Sequence, residues 1–316
     1  MFKDESAQIS FRDQRSRFQN YKRQSFQRFD GYLYIAPALI LLIAIIIYPV
    51  SRVIILSFSN YDLQSHATSF AGMKYYAAIM DDSWFWSSLG NTLIFTISSI
   101  VLHLMIAFPL ALILNYDWKI KWLRSIFRGF WILPWLFATA TAALMWGILF
   151  HPFGIINYYL LSIGLVKTTF NFLGNTSIAL CSLILINVWR TFPIYMVLIL
   201  GALQSIPKDL NEAAKIDGAT GLKITLHITL PLITPTLLTI ITLDFVTSFG
   251  HFDLVRLMTG GGPLRATETL GYYIYRVGLK SVNFPYASAL STVMFILLAI
   301  FAFIYIKLYI KSSNYA

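Results

Sequence analysis

Six apolar stretches divide this chain, each of about the 20 residues that a helix needs to cross a bilayer. They predict spanning helices over residues 33–58, 89–114, 126–150, 178–203, 232–249 and 286–310. The fifth is interrupted by Asp244. Between the fourth and fifth lies a polar island, Glu212-Ala213-Ala214-Lys215-Ile216-Asp217-Gly218-Ala219, running on to Leu230-Pro231. Pro207 can open a short helix there, since proline costs little at the first helical position. Gly218 can close it, because only glycine reaches left-handed dihedrals cheaply. A second short helix from Thr220 would run into the next apolar stretch at Pro231. The pattern predicts a helix-turn-helix elbow at the membrane surface, with small alanines that let another protein approach closely.

Composition agrees with the pattern. With 57% hydrophobic and 12% charged residues and a mean hydropathy of +0.67, the 316 residues form one polytopic bundle rather than two soluble domains. The net charge of +10 does not mark a nucleic-acid binder, because the basic residues cluster beside and between apolar stretches. Arg12, Arg15, Arg17, Lys22, Arg23 and Arg28 crowd before the first one, where they set orientation and attract anionic membrane lipid. With the N-terminus inside, the inner connections hold sixteen Lys and Arg against six in the outer ones. Both termini and the elbow are therefore expected in the cytoplasm. Residues 1–30 form a basic arm, taken as a partly ordered amphipathic segment.

Several other residue types narrow the chemistry. Trp84, Trp86, Tyr158 and Tyr159 fit interfacial anchors. The single cysteine, Cys181, excludes an intrachain disulfide and, in an apolar run, predicts a buried inert thiol. The histidines show no ligand spacing with cysteines or carboxylates, so no metal site is expected. No Ser-His-Asp spacing occurs, and Gly260-Gly261-Gly262 lacks the Lys-Ser/Thr of a phosphate-cradling loop. Neither covalent chemistry nor nucleotide binding is expected of this chain. His103 fits a buried, hydrogen-bonded packing residue, and Pro193, Pro231 and Pro235 predict kinks or helix starts.

The elbow resembles the EAA loop of bacterial ABC importer permeases, the element that docks into the ATPase subunit. The family pattern is Glu-Ala-Ala, two residues, Asp-Gly-Ala, then a Leu-Pro further on, and the chain keeps that register. It departs at Leu222 and Thr225, where the family often has aromatic residues. A second signature, Met258-Thr259-Gly260-Gly261-Gly262-Pro263 followed by Thr267-Glu268-Thr269-Leu270, demands an irregular turn. It is similar to a string in carbohydrate permeases of the maltose and glycerol-phosphate type, as is Asn283-Phe284-Pro285-Tyr286-Ala287-Ser288-Ala289. The resemblance covers residues 31–310 and is to the carbohydrate branch of the type I ABC importer permeases. The maltose permease of this branch has extra N-terminal spans and a large outer domain, whereas this chain looks like the usual six-span form.

The resemblance implies coupling to the ATPase through Glu212, Ala213, Ala214, Asp217 and Gly218. Glu212 suits a basic group of the ATPase; otherwise it is a surface charge paired with Lys208 or Lys215. Matched residue by residue, the sugar contacts of maltose-type permeases fall on Trp135 and Thr139, then Asn187, Arg190 and Thr191, then Asp244, Thr247, Ser248 and His251. Ionisable residues inside a span cost roughly 2.5 to 3.5 kcal/mol on insertion scales and usually face a cavity or a partner. Arg190 and Asp244 replace residues that are neutral in the maltose type, and two readings stand. The two pair with each other and lock two spans, or Arg190 offers a bidentate guanidinium to a carboxylate or phosphate on the solute. The second makes the cargo an anionic saccharide, such as a uronate oligosaccharide from alginate or pectin, or glycerol phosphate.

The expected fold class is an all-α membrane protein, with six transmembrane helices in the type I ABC importer permease fold. Its expected permease domain covers 31–316, with a core near 89–310 and the elbow at 205–231. The expected function is carbohydrate import across the bacterial inner membrane as the permease subunit of an ATP-driven ABC importer. The resemblance implies a second permease subunit in a heterodimer, a dimer of ATP-binding subunits and an extracytoplasmic solute-binding protein. No cofactor is expected on this chain, ATP and Mg being used by the partner subunits. The alternatives are a neutral sugar or glycerol-phosphate importer of the same family, an ion-driven secondary transporter using Asp244, His103 and His251 as a relay, and an intramembrane enzyme.

Overall fold

The computed structural model describes residues 34–61, 68–116 and 118–313, without the side chains of 311–313. The basic arm over 1–30 lies outside the described residues. The chain falls into two units, Met1–Leu56 and Ser57–Ala316. The first carries all but the last residue of the apolar helix α1, Tyr34–Ser57, with a π-helical stretch at Ile43–Ile47.

The second unit opens with a two-stranded antiparallel ribbon, β1 (Ser59–Tyr61) and β2 (Thr68–Phe70), in which Ser59 lies opposite Phe70. Helices follow in the order α2 (Lys74–Met80), α3 (Ser83–Asn115), α4 (Lys121–Ile132), α5 (Thr139–Leu149), α6 (Ile155–Ser162) and α7 (Ala179–Gln204). Then come α8 (Lys208–Ile216), α9 (Gly221–Ile224), α10 (Leu230–Phe249), α11 (Asp253–Met258), α12 (Leu270–Tyr275) and α13 (Phe284–Ser313). Among the described residues five helices are long and apolar enough to cross a membrane, or six if one bent pair counts as a span.

That bent pair falls on the third expected span, 126–150, and breaks it into two helices. Lys121–Leu136 and Thr139–Leu149 meet at 95°. Pro134 sits in a 3-10 turn, Leu133–Leu136, and Phe137 and Ala138 beyond it are extended, with ψ 127° and 146°. A proline removes one helical hydrogen bond and its ring crowds the carbonyl four residues back, so the helix cannot run through unbroken. Elsewhere prolines are absorbed more gently. The π stretches Ile43–Ile47 and Thr225–Thr229 each lie just before a proline, Pro49 and Pro231, where a wider turn accommodates the missing donor. The second of them lets the chain run helically from Gly221 into α10, as expected for the far arm of the elbow.

The core sits where α3, α7 and α10 pack together. α3 changes the character of its buried face along its length. Ser88, Thr92, Thr96, Ser99 and His103 recur at helical spacing on one face, followed by Ala107, Ala111 and Leu114. Around the second set lies a buried apolar cluster with Met196, Ile199 and Ile233. Cys181 is exposed, which corrects the expected buried thiol. Its neighbours Leu180, Ser182, Leu183 and Ile184 point inward, whereas Cys181 shares the outward face of α7 with Leu185, four residues on.

Candidate translocation path and coupling elbow

The polar half of α3 is the seam on which the predicted path residues converge. Asn187 on α7 is buried and donates Nδ2–H to Ser99 Oγ at 3.1 Å. Asp244 on α10 is buried, with Oδ2 2.7 Å from His103 Nδ1 and Oδ1 accepting from Ser248 Oγ at 2.8 Å. The His103 ring lies 5.1 Å from that of Tyr195. His251 stacks on Phe95 at 5.5 Å, with rings inclined by only 14°. Its buried Nε2, like that of His103, has no hydrogen-bond partner among the described residues. The acid in the fifth span is thus held by a histidine in the second, and not by Arg190.

A second set of predicted residues keeps surface free. Arg190 is half-buried and takes part in no ion pair among the described residues. Thr191, one residue on, lies with its hydroxyl 3.5 Å from Asn187 Oδ1. Thr247 is exposed and turns its hydroxyl back onto the Leu243 and Asp244 carbonyls. Trp135, in the 3-10 turn, is 45% exposed, and Thr139 starts α5 just beyond the break. The structure therefore divides the set. Asn187, Asp244 and Ser248 spend their hydrogen bonds inside the bundle, while Trp135, Thr139, Arg190, Thr191, Thr247 and His251 retain accessible or unpaired groups.

Sequence reasoning missed Ser99, Phe95, Tyr195 and Trp189. The Trp189 ring lies 6.0 Å from Phe137, at the break, and 5.5 Å from Trp146. The recurrence of Ser and Thr ahead of His103 in an apolar helix was the available signal for the seam.

At one end of the seam the glycine loop is fixed by side chains from several elements. Gly260 and Gly261 have φ +58° and +83°. A Cβ on Gly261 would stand 2.8 Å from Tyr272 Cε1, so only glycine fits. Thr267 Oγ1 donates to the Gly262 carbonyl at 2.7 Å. Glu268 is buried and takes Arg276 at 2.7 Å together with Arg265. The Arg265 guanidinium lies 3.5 Å above the Trp84 ring, and Asn91 on α3 donates to the Glu268 carbonyl at 3.2 Å. Trp84, expected as a belt anchor, thus also covers a cation. Beside it, Asp82 accepts from Tyr273 and, at 2.7 Å, from Tyr286. Burial alone would raise the Asp82 carboxyl, but these bonds and the Trp84 and Phe85 N–H groups hold it below the usual carboxylate range. Burial and the Asp82 bond push Tyr273 up to about 12.

The elbow lies at the other end of α10. α8 begins after Pro207 and ends at Ile216, and Gly218 turns left-handed at φ +78°. Ala219 N–H then bonds back to the Ala214 carbonyl at 2.9 Å, closing the helix. Ala214 is buried, whereas Glu212, Ala213 and Asp217 face outward. Glu212 pairs with neither Lys208 nor Lys215 among the described residues. Ile216 and Leu222 stand exposed on either side of the turn.

Apolar helices around a polar seam, with a surface elbow at one end, define a membrane permease subunit. The chain belongs to the binding-protein-dependent transport system inner membrane component family, which matches residues 75–313. It is an inner-membrane, multi-pass permease of the ABC importer class. It is 33% identical over 283 residues to the sulfoquinovosyl glycerol transport system permease protein SmoG of Agrobacterium fabrum, covering 89% of this chain and 90% of that one. It is 32% identical over 281 residues to the trehalose/maltose transport system permease protein MalF of Thermococcus litoralis, covering 88% and 92%. Its fold is similar to a chain in the crystal structure of a bacterial ABC transporter that imports the acidic polysaccharide alginate. The TM-score is 0.80 at 21% identity, covering 93% of this chain and 98% of that one.

Proposed function

We propose that this chain passes a carbohydrate through the inner membrane as one permease half of an ATP-driven importer, and that the cargo is anionic. The relatives named for a sulfo-sugar glycoside and for trehalose and maltose support the carbohydrate class. The observation that carries the anionic cargo is Arg190. It is half-buried in an apolar helix and unpaired among the described residues, because Asp244, the obvious candidate, is taken by His103. Asp253 attracts it from beyond ion-pair distance, so a solute or cavity water still has to meet the charge, and a guanidinium meets carboxylate, sulfonate or phosphate oxygens in pairs. Trp135 supplies a ring face for sugar, and Thr139, Thr191, Thr247 and His251 supply hydrogen bonds. Asn187, Asp244 and Ser248 hold the seam in shape.

The elbow faces the cytoplasm, with both termini, in keeping with the excess of basic residues in the connections on that side. Glu212, Ala213, Ala214, Asp217 and Gly218 couple it to a dimer of ATP-binding subunits. A second permease subunit completes the pore, and an extracytoplasmic binding protein delivers the solute. ATP and Mg are used by the partner subunits.

The test is ATP hydrolysis by the reconstituted complex with its binding protein. Neutral oligosaccharides, uronate oligosaccharides, sulfoquinovosyl glycerol and glycerol phosphate are compared in wild type and Arg190→Leu. Stimulation by an anionic ligand that is lost in the variant supports the reading. Full stimulation by neutral sugars alone would sink the anionic cargo.

A further inference from the structure

We propose that the elbow end of the bundle holds one anionic phospholipid, with its headgroup between α4 and the end of α7 and an acyl chain beside α3. α4 carries two opposed faces. Lys121, Arg124, Ser125 and Arg128 recur at helical spacing on one. Trp122, Leu123, Ile126 and Phe130 form an exposed apolar face on the other. A basic helix with an uncovered greasy side lies in the membrane interface, its apolar face among the acyl chains.

The basic face closes a cavity of about 560 Å3 together with Trp118, Gly129, Ile132 and Gln204. None of Lys121, Arg124 and Arg128 takes part in an ion pair among the described residues. Three positive charges therefore line one pocket with no ion-pair partner among the described residues, which suits a phosphate.

Trp118 also borders a second cavity of about 450 Å3, lined by Leu112, Ile113 and Tyr116. The indole is fixed as the shared wall: Nε1–H donates to the Ile113 carbonyl at 2.9 Å, and the ring packs 5.6 Å from Phe127. A cationic pocket alone would suit any small phosphate. A cationic pocket next to an apolar groove suits a molecule in which phosphate and hydrocarbon are joined, as in the anionic lipids recognised by basic pockets between spanning helices. Gln204 lies four residues before Lys208, where α8 begins, so the lipid would sit at the root of the elbow.

The test is native mass spectrometry of the full chain released from nanodiscs of mixed phosphatidylglycerol and phosphatidylcholine with matched chains, at low salt. Wild type is expected to retain phosphatidylglycerol preferentially. Each of Lys121→Gln, Arg124→Gln and Arg128→Gln should lower that preference roughly fivefold. The double variant Arg124→Lys/Arg128→Lys should keep it, which separates loss of charge from loss of fold. Neither inorganic phosphate nor chain-free glycerophosphoglycerol should displace the lipid. Equal retention of the two lipids, or an unchanged preference in the triple glutamine variant, would overturn the proposal. Displacement by phosphate would make this a free-anion pocket and overturn it equally. A preference seen in the isolated chain but absent from the assembled transporter would give the pocket to a partner subunit.

Discussion

His103 Nδ1 and Asp244 Oδ2 stand 2.7 Å apart with both side chains buried, joining two apolar helices that are 141 residues apart in the chain. Asp244→Ala leaves the imidazole unpaired and takes the carboxylate from Ser248 Oγ and from the Tyr195 hydroxyl as well. The expected loss is about 1–3 kcal/mol, the cost of a buried polar group left unsatisfied. Replacing both partners by leucine should cost less than the sum of the two single changes, because the two groups no longer orphan each other, although Ser248 Oγ still loses its acceptor. Thermal unfolding of the purified chain checks this, and additive losses in the double variant would contradict it.

Gly261→Ala combines a left-handed φ of +83° with a Cβ 2.8 Å from the Tyr272 ring. Strain of this kind costs about 1–3 kcal/mol. Adding Tyr272→Leu should relieve the clash but not the backbone strain. Partial rescue of the melting temperature is expected, and full rescue would show that the dihedral is unimportant.

Stability at the glycine-loop end should fall in acid and in strong alkali. The folded Asp82 carboxyl titrates below its unfolded value of about 3.9. Its contribution is therefore present above that pH and is lost as pH falls through the folded pKa. Tyr273 is raised to about 12, so its contribution is complete below about 10 and is lost as pH rises towards 12. Asp82→Asn should flatten the acid limb of a stability profile, and an unaltered limb would refute the assignment.

At the elbow, Glu212→Gln removes a charge that nothing else in the described chain uses. Charge-assisted bonds contribute about 1.5–3 kcal/mol, so solute-stimulated transport by the assembled complex should drop by about tenfold or more. Gly218→Val should do at least as much, because its left-handed turn sets the angle between the two arms. Transport at the wild-type rate in both variants would remove the elbow from the coupling path.

Much of this was legible in the residues, for identifiable reasons. Helix length and apolarity placed five spans, and Gly218 with Pro207 placed the elbow, because both depend on local rules. The break in the third span was not foreseen because its composition is apolar on both sides of Pro134, and composition does not register a right angle. The partner of Asp244 was hidden because His103 lies 141 residues away, and choosing between it and Arg190 needs the packing of α3 on α10. Cys181 was placed inside because a uniformly apolar run conceals which helical face turns outward.

The break between α4 and α5 also leaves backbone donors to be satisfied from outside the helix. Ala138 gives no side-chain cap to α5, so the N–H groups of Thr139, Ala140 and Thr141 in its first turn have no partner within the helix. Hydrocarbon can accept no hydrogen bond, and irregular backbone at membrane depth persists only against protein or water. The right angle therefore marks a place where the bundle turns away from the lipid. With Trp135 on one side and Thr139 on the other, the break sets its free N–H groups where a partner subunit or cavity water has to meet them.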